Sequence, residues 1–379
     1  MNLKINYEAA ELARALATDI VTRADAADRD SRLPAEDVAA LRDSGYLALA
    51  VPEALGGRGA SPVTCVAAQV ELAKGSASTA LVAAMQHQVI GHQRETQTWR
   101  TDAYEKIMTE AAAGGLLNHL GSEPRMGSPS RGGLPETTAT PGSDGWLVNG
   151  HKTWATGGRH LTHLLVRVAA GDASGVVLVR QGPEGVPGLE WIETWRDVLS
   201  LRASDSHDAI FRNVSAPNDA LIETGDARAV PNVWFPMMLS AVYLGAATAA
   251  RDALIRYALE RVPTALGKPI ATLPKIQRQI GEIDVPLMAA RALLLEVATW
   301  WTGREEDRVK MAGRIAAAKL AVTSAANEAT EKALMAAGGA GITRALPLER
   351  IFRDVRAANM QPPSGDTAYE MVGRAALGM

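Results

Sequence analysis

Apolar residues recur every three or four positions through the first 118 residues, and again from about residue 226 to the end. Between those stretches they alternate every second position in short runs. The first spacing predicts helices that bury one face, and the second predicts half-buried strands. In "LPAEDVAALRDSGYLAL", Pro34 stands near a helix start, Val38, Leu41 and Leu47 mark its apolar face, and Gly45 supplies a stop. "SASTALVAAMQHQVIGH" is apolar almost all round and predicts a buried helix. In the middle, "HLLVRVAA", "SGVVLVRQ", "LEWIETW" and "HDAIFRNVSAP" predict short strands, and "WLVNGHKTWATGG" predicts a hairpin turning at Asn149-Gly150. Beyond 226, helices are expected over Trp234–Arg261, Leu273–Thr302 and Arg308–Ala337. Pro362-Pro363 must then break the helical pattern, with Ser364 or Asp366 placed to cap a last helix. The expected fold is mainly α with a central β-domain. It comprises a helical domain over 1–118, a small barrel-like β-domain over 119–225 and a four-helix bundle over 226–379.

Composition narrows the function classes. The chain has 379 residues, 47% of them hydrophobic, and a net charge of -3, so no nucleic-acid partner is expected. Cys65 is the only cysteine, which excludes an internal disulfide and a cysteine-based metal cluster. The first residues, "MNLKINYEAAELARALA", read as an amphipathic helix rather than a signal peptide. "LSAVYLGAATAA" is too short to span a bilayer and ends at Arg251, so no membrane partner is expected and the expected compartment is the cytoplasm. The glycine-rich "VPEALGGRGAS" has no strand feeding it and no following Gly-Lys-Ser/Thr, so a structural turn is expected there rather than a phosphate cradle. The tryptophans cluster in and after the β-domain: Trp146, Trp154, Trp191 and Trp195, then Trp234, Trp300 and Trp301, with only Trp99 earlier.

Four segments, taken together, resemble the acyl-CoA dehydrogenase family. They are "GSEPRMGS" (121–128), "VNGHKTWATGG" (148–158), "LSLRASDSHDAIFRNVSAP" (199–217) and "GGAGITRALPLERIFRDVR" (338–356). They occur in order over nearly the whole chain. The resemblance implies an FAD-dependent oxidoreductase that oxidises the Cα–Cβ bond of an acyl thioester, with acyl-CoA as the small-molecule partner. It implies a homo-oligomer, dimer or tetramer. It also implies flavin contacts from Ser122, Ser128, Trp154 and Thr156, from Ser364, and from Gly338 and Gly339 across a subunit contact. Read alone, Trp154 is a core residue of a hairpin; within the full pattern it packs on the flat flavin ring, with the Thr156 hydroxyl near its edge. Two family features are altered. Met335 stands where a Gln is usual, and the pyrophosphate-gripping Arg-x-x-Phe-Gly is echoed only by Leu266–Ile270, with Arg261 two residues early.

The family's catalytic Glu is missing as well. Where most relatives carry Glu-Gly-Thr, this chain has Pro362-Pro363-Ser364. Where others place the Glu on an earlier helix, "WFPMMLSAVYLG" holds no acid. Proton abstraction at close range needs a group that is unprotonated beforehand. Asp366 is the nearest carboxylate, and a helix cap is its alternative role. His87 is the other candidate, and a packed core histidine is its alternative; Tyr243 also lies near a plausible pocket. Three functions follow: a dehydrogenase with a relocated base, a monooxygenase of the same fold using reduced flavin and oxygen, or a flavin-binding protein without thioester chemistry.

Overall fold

The computed structural model describes residues 6–125, 133–225, 232–303, 308 and 310–379. The N-terminal helices are α1 (Tyr7–Asp30), α2 (Ala35–Asp43), α3 (Pro62–Ala73), α4 (Ala77–Thr96) and α5 (Thr101–Ala112). Side-chain caps start three of them. Asn6 accepts from Glu8 N, Ser61 from Thr64 N and Ser76 from Thr79 N. All twelve residues of α3 are buried, as its unbroken apolar run requires. The loop 51–60 is knitted to itself: Gly57 N donates to Pro52 O, Gly59 N to Val51 O and Ala60 N to Leu49 O. Those amides are spent within the loop, so they form a structural turn.

The sheet begins at Leu117, two residues before the expected boundary. Its strands are β1 (Leu117–Leu120), β2 (Thr138–Pro141), β3 (Gly145–Ala155), β4 (His163–Ala170), β5 (Ala173–Arg180), β6 (Leu189–Ile192), β7 (His207–Pro217) and β8 (Leu221–Thr224). They form one sheet in the order β6-β7-β3-β2-β4-β5-β8, with β1 paired in parallel to β4. The hairpin expected at Asn149-Gly150 is not there. β3 runs straight through it, and the register against β7 slips between Val148 and Gly150. The Asn149 side chain accepts from Asn213 N and donates to Asn213 Oδ1, replacing ladder bonds at this bulge. Gly150 has φ +154°, and a Cβ there would come within 2.4 Å of Thr137 Oγ1. The Asn-Gly pair marks a close approach of strands, not a turn. The real turn precedes it at Gly142–Gly145, where Gly142 N donates to Gly145 O.

The C-terminal bundle holds α6 (Trp234–Glu260), α7 (Pro274–Gly303), α8 (Ala312–Ala337) and α10 (Gly365–Leu377), with the short α9 (Leu348–Val355) packed against α6 and α8. By length and composition α6 is apolar enough to cross a membrane, which the shorter run read from the sequence did not suggest. Its apolar surface is instead covered by α3, α4, α7 and α8. Gly91 lets α4 and α6 approach: a Cβ there would lie 2.2 Å from the Trp234 ring. Gly281 on α7 has open space around it. Gly91→Ala is therefore expected to destabilise by about 1–3 kcal/mol through overpacking. Gly281→Ala is expected to stabilise by about 0.5–1 kcal/mol through helix propensity. Denaturant unfolding of the two variants checks the opposite signs.

Candidate active site

The site is built around a buried ion pair. Glu123, just past β1, accepts from Lys152 Nζ at 2.6 Å, and both side chains are almost fully buried. The same carboxylate accepts from Glu136 N and Thr137 N. Burial pushes the Lys152 ammonium down to about 8. Burial pushes the Glu123 carboxyl up, but the bonds from Lys152 and Thr137 outweigh it and hold the group below its ordinary value. The pair fixes the segment leaving β1 against β3, where Thr153 N donates to Ser122 O at 3.0 Å.

One residue further along β3 the register slips again, between Lys152 and Ala155. Trp154 occupies that bulge at φ +58°, and the residue is 55% exposed. A tryptophan in left-handed backbone conformation is unusual, and here it turns the indole out of the sheet. Beside it the buried Thr156 hydroxyl bonds Ser206 Oγ at 2.9 Å, and Ser206 bonds Ser204 Oγ at 2.7 Å. Asn118 of β1 donates to Thr156 O. The loop carrying Ser204 is anchored to α9, since Asp354 Oδ1 accepts from Leu201 N at 2.8 Å. Burial raises Asp354 to about 6.

Helix α4 divides its faces among three neighbours. Gln86 and Gln93 point to the β-domain, meeting Leu117 N and Glu223. Gln88, Gly91 and Glu95 point to the α6–α7 side, meeting Asn232, Trp234 and Trp301. His87 points into the N-terminal domain, where its ring meets Tyr46 edge-on at 5.2 Å. Neither ring nitrogen has a hydrogen bond, and burial pushes His87 down to about 4. His87 is thus a core residue, which corrects its reading as a catalytic candidate. His92, five residues on and about 140° around the helix, lies between the β-facing and α6-facing lines. It is half-buried there, and burial lowers it to about 4. His119 on β1 is also half-buried. It is lowered to about 4 by burial first, then by the charges of Lys152, Arg167 and His92. Neither His92 nor His119 was singled out in the sequence.

The C-terminal loop brings no carboxylate inward. Pro362 and Pro363 are half-buried, and the preceding Gln361 accepts from Tyr243 OH at 2.6 Å. Lys319 of α8 is buried and donates to Ala358 O. Ser364 takes the cap position of α10 without a side-chain cap bond, and Asp366 is exposed in the first turn, so neither caps the helix as expected. Gly338 and Gly339 end α8 at the surface, and Ser128 lies outside the described residues. Arg125 is exposed and paired with Glu136.

An exposed indole, a half-buried Ser122 and a buried Thr156 hydroxyl around the C-terminal end of β3 suit a flat ring with polar atoms on its rim. Three acyl-CoA dehydrogenase domain models match the chain: the N-terminal domain over 8–103, the middle domain over 119–214 and the C-terminal domain over 237–361. The chain belongs to the acyl-CoA dehydrogenase family. It is 36% identical over 357 residues to a putative acyl-CoA dehydrogenase, YdbM, of Bacillus subtilis, covering 92% of this chain and 91% of that one. It is 29% identical over 347 residues to the human mitochondrial short-chain specific acyl-CoA dehydrogenase, covering 87% and 79%. Among solved structures, KijD3 in complex with FMN and a dTDP-linked amino sugar matches with a TM-score of 0.84 and 26% identity, covering 100% and 95%. Indole-bound TdsC from Paenibacillus sp. A11-2 matches at 0.84 and 25%, covering 98% of each chain. Membership supports an oxidoreductase with a flavin cofactor, FMN or FAD.

Two consequences are measurable. Lys152→Met leaves the Glu123 carboxylate buried without its cation, and a loss of about 3–5 kcal/mol in chemical unfolding is expected. His87 has a folded value of about 4 against an ordinary 6.5, so its neutral form stabilises the fold above pH 6.5. That contribution is lost as pH falls through 4. The His87 share of the loss between pH 7 and pH 5 is about 2 kcal/mol. His87→Phe is expected to flatten the pH dependence of stability by that amount.

Proposed function

We propose that this protein is a flavin-dependent monooxygenase-type member of its family, acting on an organic substrate with reduced flavin and oxygen. The observation that carries the reading is the emptiness of both carboxylate positions. The loop 359–364 and the segment Trp234–Gly245 hold no acid. Glu95, the carboxylate on the α6-facing side of α4, accepts from Trp301 Nε1 with both oxygens. Neither of those two positions therefore offers a base for the α-proton of a thioester, whereas half-buried histidines, His92 and His119, stand on α4 and β1. A bound reduced flavin supplies two electrons to O2, giving one oxygen atom to the substrate and the other to water. The protein's part is to cover the ring with Trp154, to hold its edge with Thr156 and Ser122, and to seat the substrate. The FMN and the indole in the KijD3 and TdsC complexes support this reading.

The altered FAD-gripping residues favour FMN over FAD. Arg261, Gly267 and Lys268 are exposed, and Met335 is 69% exposed where a polar group for the adenine end is usual. The apolar side chains Met335, Ile342, Met360 and Tyr369, all at least 66% exposed, support a homo-oligomer that covers them. A second reading, thioester dehydrogenation, is supported by the 36% identity to YdbM; Asp366 is then the acid to replace.

The deciding experiment has two arms. FMN-loaded or FAD-loaded protein is titrated anaerobically with acyl-CoA thioesters, then supplied with a flavin reductase, NADH, O2 and candidate heterocycles. No bleaching, with oxygenated product in the second arm, is expected; bleaching by a thioester would overturn the reading. Trp154→Ala is expected to weaken FMN binding roughly tenfold by fluorescence titration.

A further inference from the structure

A cavity of about 540 Å³ lies where α2 and the end of α5 meet the start of β4 and the end of β5. Trp154, Thr156 and Ser122 take no part in its wall. Among the described residues that wall carries Arg42, Arg159, His160 and His163, and no carboxylate. Its floor is cut to two of these side chains. Gly114 has φ +95°, and a Cβ there would come within 2.4 Å of Arg42 Cγ. Arg42 lies across this glycine, with Nε donating to Gly114 O at 3.0 Å. A Cβ on Gly115 would come within 3.0 Å of His163 Cε1. The turn Gly158–His160, which carries Arg159, is held by the buried Gln181. That amide donates to Arg159 O at 3.0 Å and to Leu161 O at 2.9 Å, and its Oε1 accepts from Trp191 Nε1 at 2.8 Å.

Two acids outside the wall serve the imidazoles. Glu110 bonds His163 Nε2 at 2.6 Å and accepts from Arg180 at 3.0 Å, and Asp205 lies 3.7 Å from His160 Nε2. Arg42 is bonded instead to a neutral carbonyl, and Arg159 is exposed. The two guanidiniums are therefore the charges that this cavity presents. A guanidinium fork matches the oxygens of a phosphate, and two of them balance a dianion. Val38, Ala39 and Leu161 give the wall an apolar part. A space of this size suits a small organic molecule. A bare phosphate ion would leave the apolar part in water, and a neutral ring would leave the guanidiniums unmatched.

We infer that this cavity is a second binding site, separate from the residues around Trp154, and that it takes a phosphate monoester carried on a compact ring system, of the size of a nucleoside monophosphate. Arg42 and Arg159 hold the phosphate, and the Val38–Ala39 side of α2 packs on the ring. The inference does not rest on the flavin reading. The probes are AMP, adenosine and inorganic phosphate, titrated calorimetrically into the full chain. AMP is expected to bind saturably, about tenfold or more tighter than either of the other two. Arg159→Gln, which removes an exposed charge, and Arg42→Gln are each expected to weaken AMP about tenfold. Ala39→Phe narrows the apolar part and is expected to weaken AMP while leaving phosphate as weak as before. Trp154→Ala is expected to leave AMP affinity unchanged. No saturable AMP binding below about 1 mM, adenosine or phosphate binding as tightly as AMP, AMP affinity that survives Arg159→Gln, or its loss in Trp154→Ala would overturn the inference. If Arg42→Gln fails to fold, Arg159→Gln and Ala39→Phe decide the matter.

Discussion

The contact between Glu123 and Lys152 is the constraint on which the site depends. An ammonium and a carboxylate sealed from water repay their desolvation only with close geometry and further hydrogen bonds. Here Glu123 meets both conditions, accepting from Lys152 and from two backbone amides of the segment leading to β2. Three stretches that are far apart in sequence are thereby held in one place. Ser122 is set by its neighbour, Trp154 by the strand that carries Lys152, and the approach to β2 by the two amides. What looks in the sequence like a set of cofactor-contacting motifs is partly a clamp that gives Ser122 and Trp154 a fixed position.

The clamp also accounts for the backbone at Trp154. Lys152 must point inward to reach Glu123, while the sheet resumes its pairing with β7 at Ala155. Thr153 and Trp154 on β3 then stand opposite the single Asp208 on β7, and the surplus is absorbed at Trp154 with its left-handed φ. A bulge bends and twists its strand locally. The exposed indole is therefore the product of one inward-facing ion pair and one resumed ladder.

The three-layer organisation was legible from the sequence because its periods differ so clearly: helical spacing, alternation, then helical spacing again. The C-terminal helices came within a few residues of their observed ends, and the family was legible from four separated motifs. The errors were local. Asn149-Gly150 carries the signature of a hairpin turn, but a glycine with no room for a Cβ also serves a strand bulge, and only the strand partner distinguishes them. His87 was favoured over His92 because a nearly all-apolar helix conceals its phase. Every face of α4 is buried, so apolar periodicity gives no direction, and the hydrogen bonds of its glutamines are needed to orient it. His119 lay in a short strand whose half-buried state depends on what packs above it.

The hydroxyls of Thr156, Ser206 and Ser204 form an unbranched row in which each bond can run in either direction. If Ser204 donates inward along the row, Thr156 keeps its own hydrogen for whatever lies beyond it; if the row is reversed, Thr156 offers a lone pair there instead. Switching between these two states moves only hydrogens. The end of β3 is therefore ambivalent by construction: one rigid arrangement of heavy atoms can greet a proton-rich or a proton-poor neighbour without any rearrangement of the fold.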